Sequence, residues 1–229
     1  VGALNLFPKI AMNRLTSLRV RPHDLLELKA PALVAVQGEA KSAAPAWVAE
    51  RLRLTPCVVV RRGIAPRMRI PIGVRGTERH QRWAAYVAAD QVRAVMSPPE
   101  LLNRWQGSPS REAEIGAFRS LRTLLKAWQH IGYLWGPGGS IGFELGSGVV
   151  TAKPSSDLDI VLYANERLPL ETAHALLATT HDLPTCVDVR VETHCCGFSL
   201  TEYAEHFPRP ILLRTPHGPR LGRNPWSKR

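Results

Sequence analysis

Asp157, Asp159 and Asp188 are spaced so that they could share one site. A β-strand sends successive side chains to opposite faces. In the run from Asp157 to Tyr163 that alternation puts Leu158, Ile160 and Leu162 on one face and Asp157 and Asp159 on the other. In the run from Val187 to Glu192 it puts three valines on one face and Asp188, Arg190 and Glu192 on the other. If the two runs are neighbours in one sheet, the three acids converge. Like charges held together resist ionisation, so a divalent cation is their expected counterpart. Magnesium suits such a set, because it takes one or two carboxylates and leaves its other positions to substrate phosphates. Two ions between three acids could stabilise both the attacking and the leaving oxygen of an in-line displacement. Asp157, Asp159 and Asp188 are therefore the expected metal ligands and the expected catalytic set, with two Mg2+ ions as the cofactor.

The glycine-rich stretch GGSIGFELGSG (138–148) precedes these acids. Backbone N–H groups in glycine-rich turns can cradle phosphate oxygens. Gly139 and Ser140 follow a probable strand, YLWGPGG, and a second pair, Gly146 and Ser147, stands nearer the acids; the residues themselves do not choose between the pairs. Lys153 and Ser156, on the segment leading to Asp157, complete the candidate phosphate contacts. A solvated loop is the commoner role for such a lysine. Glu144 is expected to orient the loop.

Several elements must position these groups. PAWVAERL (45–52) reads as a helix with proline in its first turn, and PHDLLEL as the start of another, with Asp24 in its first turn. PCVVVRR (56–62) is a β-branched strand. RMRIPIGVRG (67–76) is a second strand, which Pro71 pushes toward a sheet edge. RHQRWAAYVAADQVRAV (79–95) has helical spacing through Trp83, Val87 and Val92, and it carries Arg79 and Arg82 three residues apart on one face. SPPELL (97–102) signals a capped helix start. Ile115, Phe118, Leu121, Leu125 and Trp128 mark one long helix over 114–132, ended by Gly132. A helix near 169–180, a helix near 199–206 and the strand PILLRT follow. The expected division is an extension over 1–11 ahead of Met12, a basic α+β domain over 12–95 and a catalytic domain over 96–229.

The net charge of +11 is unevenly placed: 16 Lys and Arg face 6 Asp and Glu up to Val95, and 14 face 13 after it. A concentrated positive field attracts polyanions, and Arg61, Arg62, Arg67, Arg69, Arg75, Arg79 and Arg82 are its core. No apolar run approaches the roughly 20 residues that span a bilayer. Cys57, Cys186, Cys195 and Cys196 form no C-x-x-C pair, which favours a reducing, cytoplasmic setting. His194, Cys195 and Cys196 are adjacent, so a strand would point them to opposite faces; packed cysteines are the default.

The order Gly-Ser, Asp-x-Asp and a later Asp resembles the nucleotidyltransferase superfamily. WGPGGSIGFELGSG, SSDLDIVL, VDVRVETHCCGFSLTEYA and ILLRTPHGPRLGRNPW, with PCVVVRRG and IPIGVRGTERHQRWAAYV, resemble more closely the phosphoribosyl-dephospho-CoA transferases of malonate decarboxylase systems. That resemblance implies an α/β (α+β) fold, a mixed sheet flanked by helices with a smaller basic N-terminal α+β domain. It implies transfer of the phosphoribosyl-dephospho-CoA group from 2'-(5''-triphosphoribosyl)-3'-dephospho-CoA to a serine of an apo acyl-carrier protein, with release of pyrophosphate. It also favours Gly139 and Ser140 over the second Gly-Ser pair, gives Asp157 and Asp159 to both ions, and gives Asp188 to the ion nearest the attacking serine. Arg79 and Arg82 would meet donor or carrier. Two other readings use the same residues: transfer of a nucleotide to a small molecule or RNA, and a non-catalytic basic nucleic-acid-binding module. The second lacks any helix-turn-helix, zinc-finger or RRM-type signature.

Overall fold

The computed structural model describes residues 19–29, 37–38, 43–66, 69–78 and 80–227. Among them two sheets form. The first has strands β1 (Leu25–Leu28), β2 (Gln37–Gly38), β3 (Cys57–Val60), β4 (Arg69–Arg75), β5 (Arg82–Ala88) and β6 (Val92–Met96), in the order β2-β5-β4-β3-β1-β6. All its pairings are antiparallel. Helix α1 (Ala46–Leu54) buries Val48 and Leu52, one turn apart, in the same cluster as Val58, Val60, Ile70, Ile72, Val74, Ala85 and Val87. One sheet face is thereby closed. The other face carries the alternate residues, including Val59, Gly73, Arg75, Arg82 and Ala84.

The second sheet begins after helices α2 (Pro98–Arg104), α3 (Pro109–Glu114) and α4 (Gly116–Ala127). Its strands are β7 (Leu134–Pro137), β8 (Leu158–Tyr163), β9 (Val187–Glu192), β10 (Gly197–Ser199), β11 (Ile211–Thr215) and β12 (Gly218–Gly222), laid side by side in chain order. Helix α5 (Gly139–Ser147) joins β7 to β8, α6 (Leu170–Ala178) joins β8 to β9, and α7 (Leu200–His206) follows β10. Only β8 and β9 pair in parallel, because α6 carries the chain back to the same end; the other pairings are antiparallel. Phe118, Leu121, Leu124, Trp128, Leu176 and Tyr203 bury the helices against Ile160, Leu162, Val189 and Val191. This is the mixed α and β architecture expected, a mixed sheet flanked by helices beside a smaller basic α+β unit. No helix among the described residues is long and apolar enough to cross a membrane.

Four local expectations are corrected. Residues 82–96 are two strands joined by a 3-10 turn at Ala89–Gln91, not a helix. Alanines favour a helix in isolation, but β5 pairs with all seven residues of β4, and that tertiary pairing wins. Arg82 thus lies on a strand; Arg79 and Arg67 fall outside the described residues. PHDLLEL supplies β1 rather than a helix: Asp24 precedes the strand and accepts the Arg21 backbone N–H at 2.7 Å. Pro71 sits inside the sheet rather than at its edge. Its carbonyl accepts the Arg61 N–H at 2.9 Å just past the end of β3, so the donor that proline lacks is not missed by the ladder. The helix expected over 114–132 is broken at Ile115, which is extended, and ends at Ala127; Leu124, not Leu125, faces the core.

The two units are held together at two places. Ser97 and Glu100 form the capping box that starts α2. Leu101 of α2 then packs with Leu25, Cys57, Met96 and Phe143. A side chain at Gly146 would run into Leu25 and Leu101, so that glycine serves close packing. At the second place the buried carboxylate of Glu192, at the end of β9, accepts from Arg62, and the His23 ring nitrogen lies 3.0 Å from it. Removing one partner of a buried pair leaves the other charge uncompensated, a cost of roughly 3–5 kcal/mol. Glu192→Ala should therefore lower the unfolding free energy by about 3 kcal/mol, read by urea denaturation. A loss below about 0.5 kcal/mol, the range of an ordinary surface change, would show that this contact does not hold the units.

Candidate functional site

A cavity of about 580 Å³ lies between the open face of the first sheet and the ends of β8 and β9. Asp159 and Asp188 are register partners on the parallel strands, so their side chains leave the same face of the sheet. Both line the cavity. Asp159 is open to solvent across it, yet protein crowds the carboxyl closely. Desolvation, and then the Asp188 charge, raise its pKa above the ordinary value, while Arg75 and Arg190 pull the other way and Asp157 adds a smaller push. Arg190 Nη2 donates to Asp188 Oδ2 at 2.8 Å. Asp157 is exposed, one residue ahead of β8, and does not line the cavity; Asp159 feels its charge.

The glycine-rich segment is a helix start rather than an irregular turn. Gly138 is the N-cap of α5, and its N–H donates to the Asp159 carbonyl at 2.8 Å. Gly139 has a left-handed φ of +54°, and a side chain there would run into the Asp159 carboxylate. Glycine is thus required on two counts, and it brings the N-terminal end of α5 against the acid. Gly138 and Gly139 both line the cavity; Ser140 is buried behind them and does not. Ser147 is spent locally, donating to the Phe143 carbonyl at 2.7 Å.

Lys153 and Ser156 stand apart from the cavity. The Lys153 N–H donates to Ser156 Oγ and the Ser156 N–H to the Lys153 carbonyl, each at 2.9 Å, which closes a turn ahead of β8. Glu144 holds the other end of the same loop. It accepts from the Thr151 and Ala152 N–H groups, both at 2.8 Å, and from Arg111 Nε and Nη2 at 2.8 and 3.0 Å. Burial would raise the Glu144 pKa, but these donors outweigh it and hold the carboxyl below its ordinary value. Cys195 and Cys196 are packed against the C-terminal segment, each thiol 3.1 Å from the Pro225 carbonyl.

The cationic wall comes from both units. Arg61, Arg75 and Arg82 line the cavity from the first sheet, and Arg190 and Arg214 from the second. Burial and then the neighbouring Arg190 cation lower the Arg214 pKa from its ordinary value. Gly138, His23, Arg190 and Arg214 were not among the expected site residues. Arg190 had a readable signal, since it shares a strand face with Asp188. His23 has one only in the backbone, a left-handed φ of +76° that a non-glycine residue seldom adopts. Arg214 has none, because only the sheet order brings β11 to this edge.

The donor set suits magnesium. Among the described residues no three His, Cys, Asp or Glu side chains are grouped to enclose an ion. Two carboxylates with room for phosphate is, however, the arrangement that this cation uses, and a cation would offset both the desolvation and the Asp188 charge that raise the Asp159 pKa.

Two family models match. The phosphoribosyl-dephospho-CoA transferase MdcG N-terminal domain covers residues 21–98, and the MdcG C-terminal domain covers residues 101–225. The phosphoribosyl-dephospho-CoA transferase of Pseudomonas aeruginosa is 37% identical over 205 residues, 90% of this chain and 93% of that protein. Those of Klebsiella pneumoniae and Azotobacter vinelandii are each 35% identical, over 91% and 93% of this chain and 97% of their own lengths. No solved structure matches the chain significantly.

The electrostatics of Asp159 give a signed expectation for the metal-free protein. An acid whose folded pKa lies above its unfolded value of about 3.8 favours folding most when protonated. That stability is present at low pH and is lost as pH rises through the folded pKa. Asp159→Asn escapes the loss. Its Tm should match the wild-type value near pH 3.5 and exceed it at pH 7. A lower Tm for the variant at pH 7 in chelator would mean that the carboxylate is stabilised, not strained.

Proposed function

The chain belongs to the phosphoribosyl-dephospho-CoA transferase family, and from that premise we propose that the cavity is the active site of such a transferase. The donor is 2'-(5''-triphosphoribosyl)-3'-dephospho-CoA and the acceptor a serine of the apo acyl-carrier protein of a malonate decarboxylase. The observation that carries this reading is the register pairing of Asp159 with Asp188 on a wall that faces arginines across a cavity. A site for polyphosphate transfer needs that combination, acids to organise the reacting phosphate and cations to meet the remaining charge.

The serine oxygen attacks the α-phosphorus of the triphosphate. A P–O bond to serine forms as the bond to the bridging oxygen of the β-phosphate breaks, and pyrophosphate leaves with that electron pair. Asp188 is placed to take the serine proton; Arg190 holds it through Oδ2, which leaves Oδ1 for that role. Gly138 and Gly139 present the start of α5 to the phosphates. Arg190 and Arg214 meet the leaving pyrophosphate. Asp159 and Asp188, with Asp157 at the margin, would hold magnesium, which supplies positive charge to the phosphate oxygens and acidifies the attacking hydroxyl. Lys153 and Ser156 shape the loop ahead of Asp157. No covalent enzyme intermediate is required, and a cytoplasmic setting suits a CoA-derived donor and four free cysteines.

The test is the intact mass of apo carrier after incubation with enzyme, donor and magnesium. Wild type should add one prosthetic group and release one pyrophosphate. Asp159→Asn and Asp188→Asn should each slow transfer by about a hundredfold or more, the scale of a lost acid–base or charge-organising group. Transfer of a bare nucleotide with no gain from the dephospho-CoA donor would assign the site to another nucleotidyl transfer. Near-wild-type rates in both variants would move the chemistry elsewhere.

A further inference from the structure

The first unit's wall of the cavity differs in character from the acidic wall that faces it. Val59, Gly73 and Ala84 stand in one cross-strand row of β3, β4 and β5, by the pairings Val59 to Gly73 and Gly73 to Ala84. All three line the cavity. The next outward-facing pair along the same two strands is Arg75 with Arg82. On the other side the Arg61 side chain crosses Gly73: a Cβ there would come within 3.3 Å of Arg61 Cδ and 3.4 Å of its Cγ. The result is a floor of Val59, Ala84 and the Arg61 stem lying across Gly73, with Arg75 and Arg82 along one rim. Among the described residues no acid lines this half of the cavity; Asp159 and Asp188 belong to the opposite wall.

We infer that this floor is a subsite for the dephospho-CoA end of the donor, holding its adenine ring on Ala84 and the Arg61 stem and its diphosphate on Arg61 and Arg82. The inference rests on the proposed transfer and adds to it a division of labour. The reacting triphosphate belongs to the second sheet, where the acids are. The rest of the donor leaves the α-phosphorus through the ribose 5''-oxygen, off the line that joins the attacking serine to the pyrophosphate, and must lie along another wall. A planar base needs a flat surface, which Val59, Ala84 and the flattened Arg61 stem offer, and an arginine plane stacks on a base as well as pairing with phosphate. The apolar floor with a few placed polar groups is the usual composition of a cofactor pocket. An acidic carrier would instead bind an outward-facing patch, not the bottom of a cavity shared with the reacting acids.

The experiment uses two probes on the full chain with magnesium, each titrated by calorimetry: dephospho-CoA, and inorganic tripolyphosphate. Ala84→Phe fills the floor. Arg82→Gln removes one rim charge at an exposed strand position, where misfolding is not expected, and thermal melts check both. Each variant should weaken dephospho-CoA at least tenfold and leave tripolyphosphate within about threefold. It should also raise the KM for the complete donor more than it lowers kcat. Unchanged dephospho-CoA affinity in two folded variants, while wild type still modifies the carrier, overturns the subsite alone. Equal loss of both probes overturns it too, because the first unit would then supply only general positive charge. Failure of wild type to modify the carrier overturns the transfer reading on which the subsite rests.

Discussion

The two walls of the cavity are tied to each other at its edge by Glu192. It ends β9, the strand that carries Asp188 and Arg190, and it is 4% exposed. Its partners, Arg62 and His23, come from the first unit. A buried ion pair is a poor source of net stability, because taking both charges out of water costs about as much as their attraction returns. Its effect is geometric. A carboxylate at that depth is tolerated only with its partners in reach, so the end of the strand that carries Asp188 is fixed against the sheet that carries Arg61, Arg75 and Arg82. Gly197 completes the arrangement, since a side chain there would collide with Glu192 and come within 3.0 Å of Arg62.

Once the walls are fixed, the cavity has a polarity of its own. Asp159 and Asp188 repel each other, and Arg190 and Arg214 do the same beside them. Arg190 and Arg75 offset the first repulsion in part, and Asp188, Glu192 and Glu202 offset the second in part, but Asp159 stays raised and Arg214 lowered. A polyphosphate carrying a divalent cation would complement both clusters. The site is electrostatically unfinished in a way that specifies the charge of what completes it.

The sequence was most readable where side-chain alternation and burial coincide. β8 and β9 follow their period-2 patterns, and the convergence of Asp159 and Asp188 follows from those patterns once the strands pair. Asp157 fits the same alternation but is exposed, lies one residue before β8 and does not line the cavity, a placement that alternation alone does not give. The segment 82–96 misled because its alanines and its spacing of Trp83, Val87 and Val92 suit a helix, while the alternation of Ala85 and Val87 is as regular and is chosen by β4. Pro71 misled because the edge rule concerns the missing N–H, and here that N–H would have pointed past the end of β3. The floor of Val59, Gly73 and Ala84 was not readable at all: three unremarkable residues on three strands become a surface only through register.

The uneven charge has a similar resolution. The excess in the first 95 residues suggests a single basic patch, but its members do different things. Arg62 serves Glu192, Arg93 pairs with Glu27 at 3.1 Å, Arg51 lies over the Phe143 ring and Arg21 over the Tyr163 ring. Among the described residues of that segment, Arg61, Arg75 and Arg82 are the arginines that reach the cavity. With Arg190 and Arg214 they outnumber Asp159 and Asp188, so the cavity is net positive although two acids share one of its walls. A second sheet acting alone would offer two arginines against two acids, a neutral site with no reason to prefer a polyanion. The net positive charge of the cavity is therefore supplied by the unit that carries neither acid, and the contact at Glu192 with the cluster around Leu101 holds that unit against the acids.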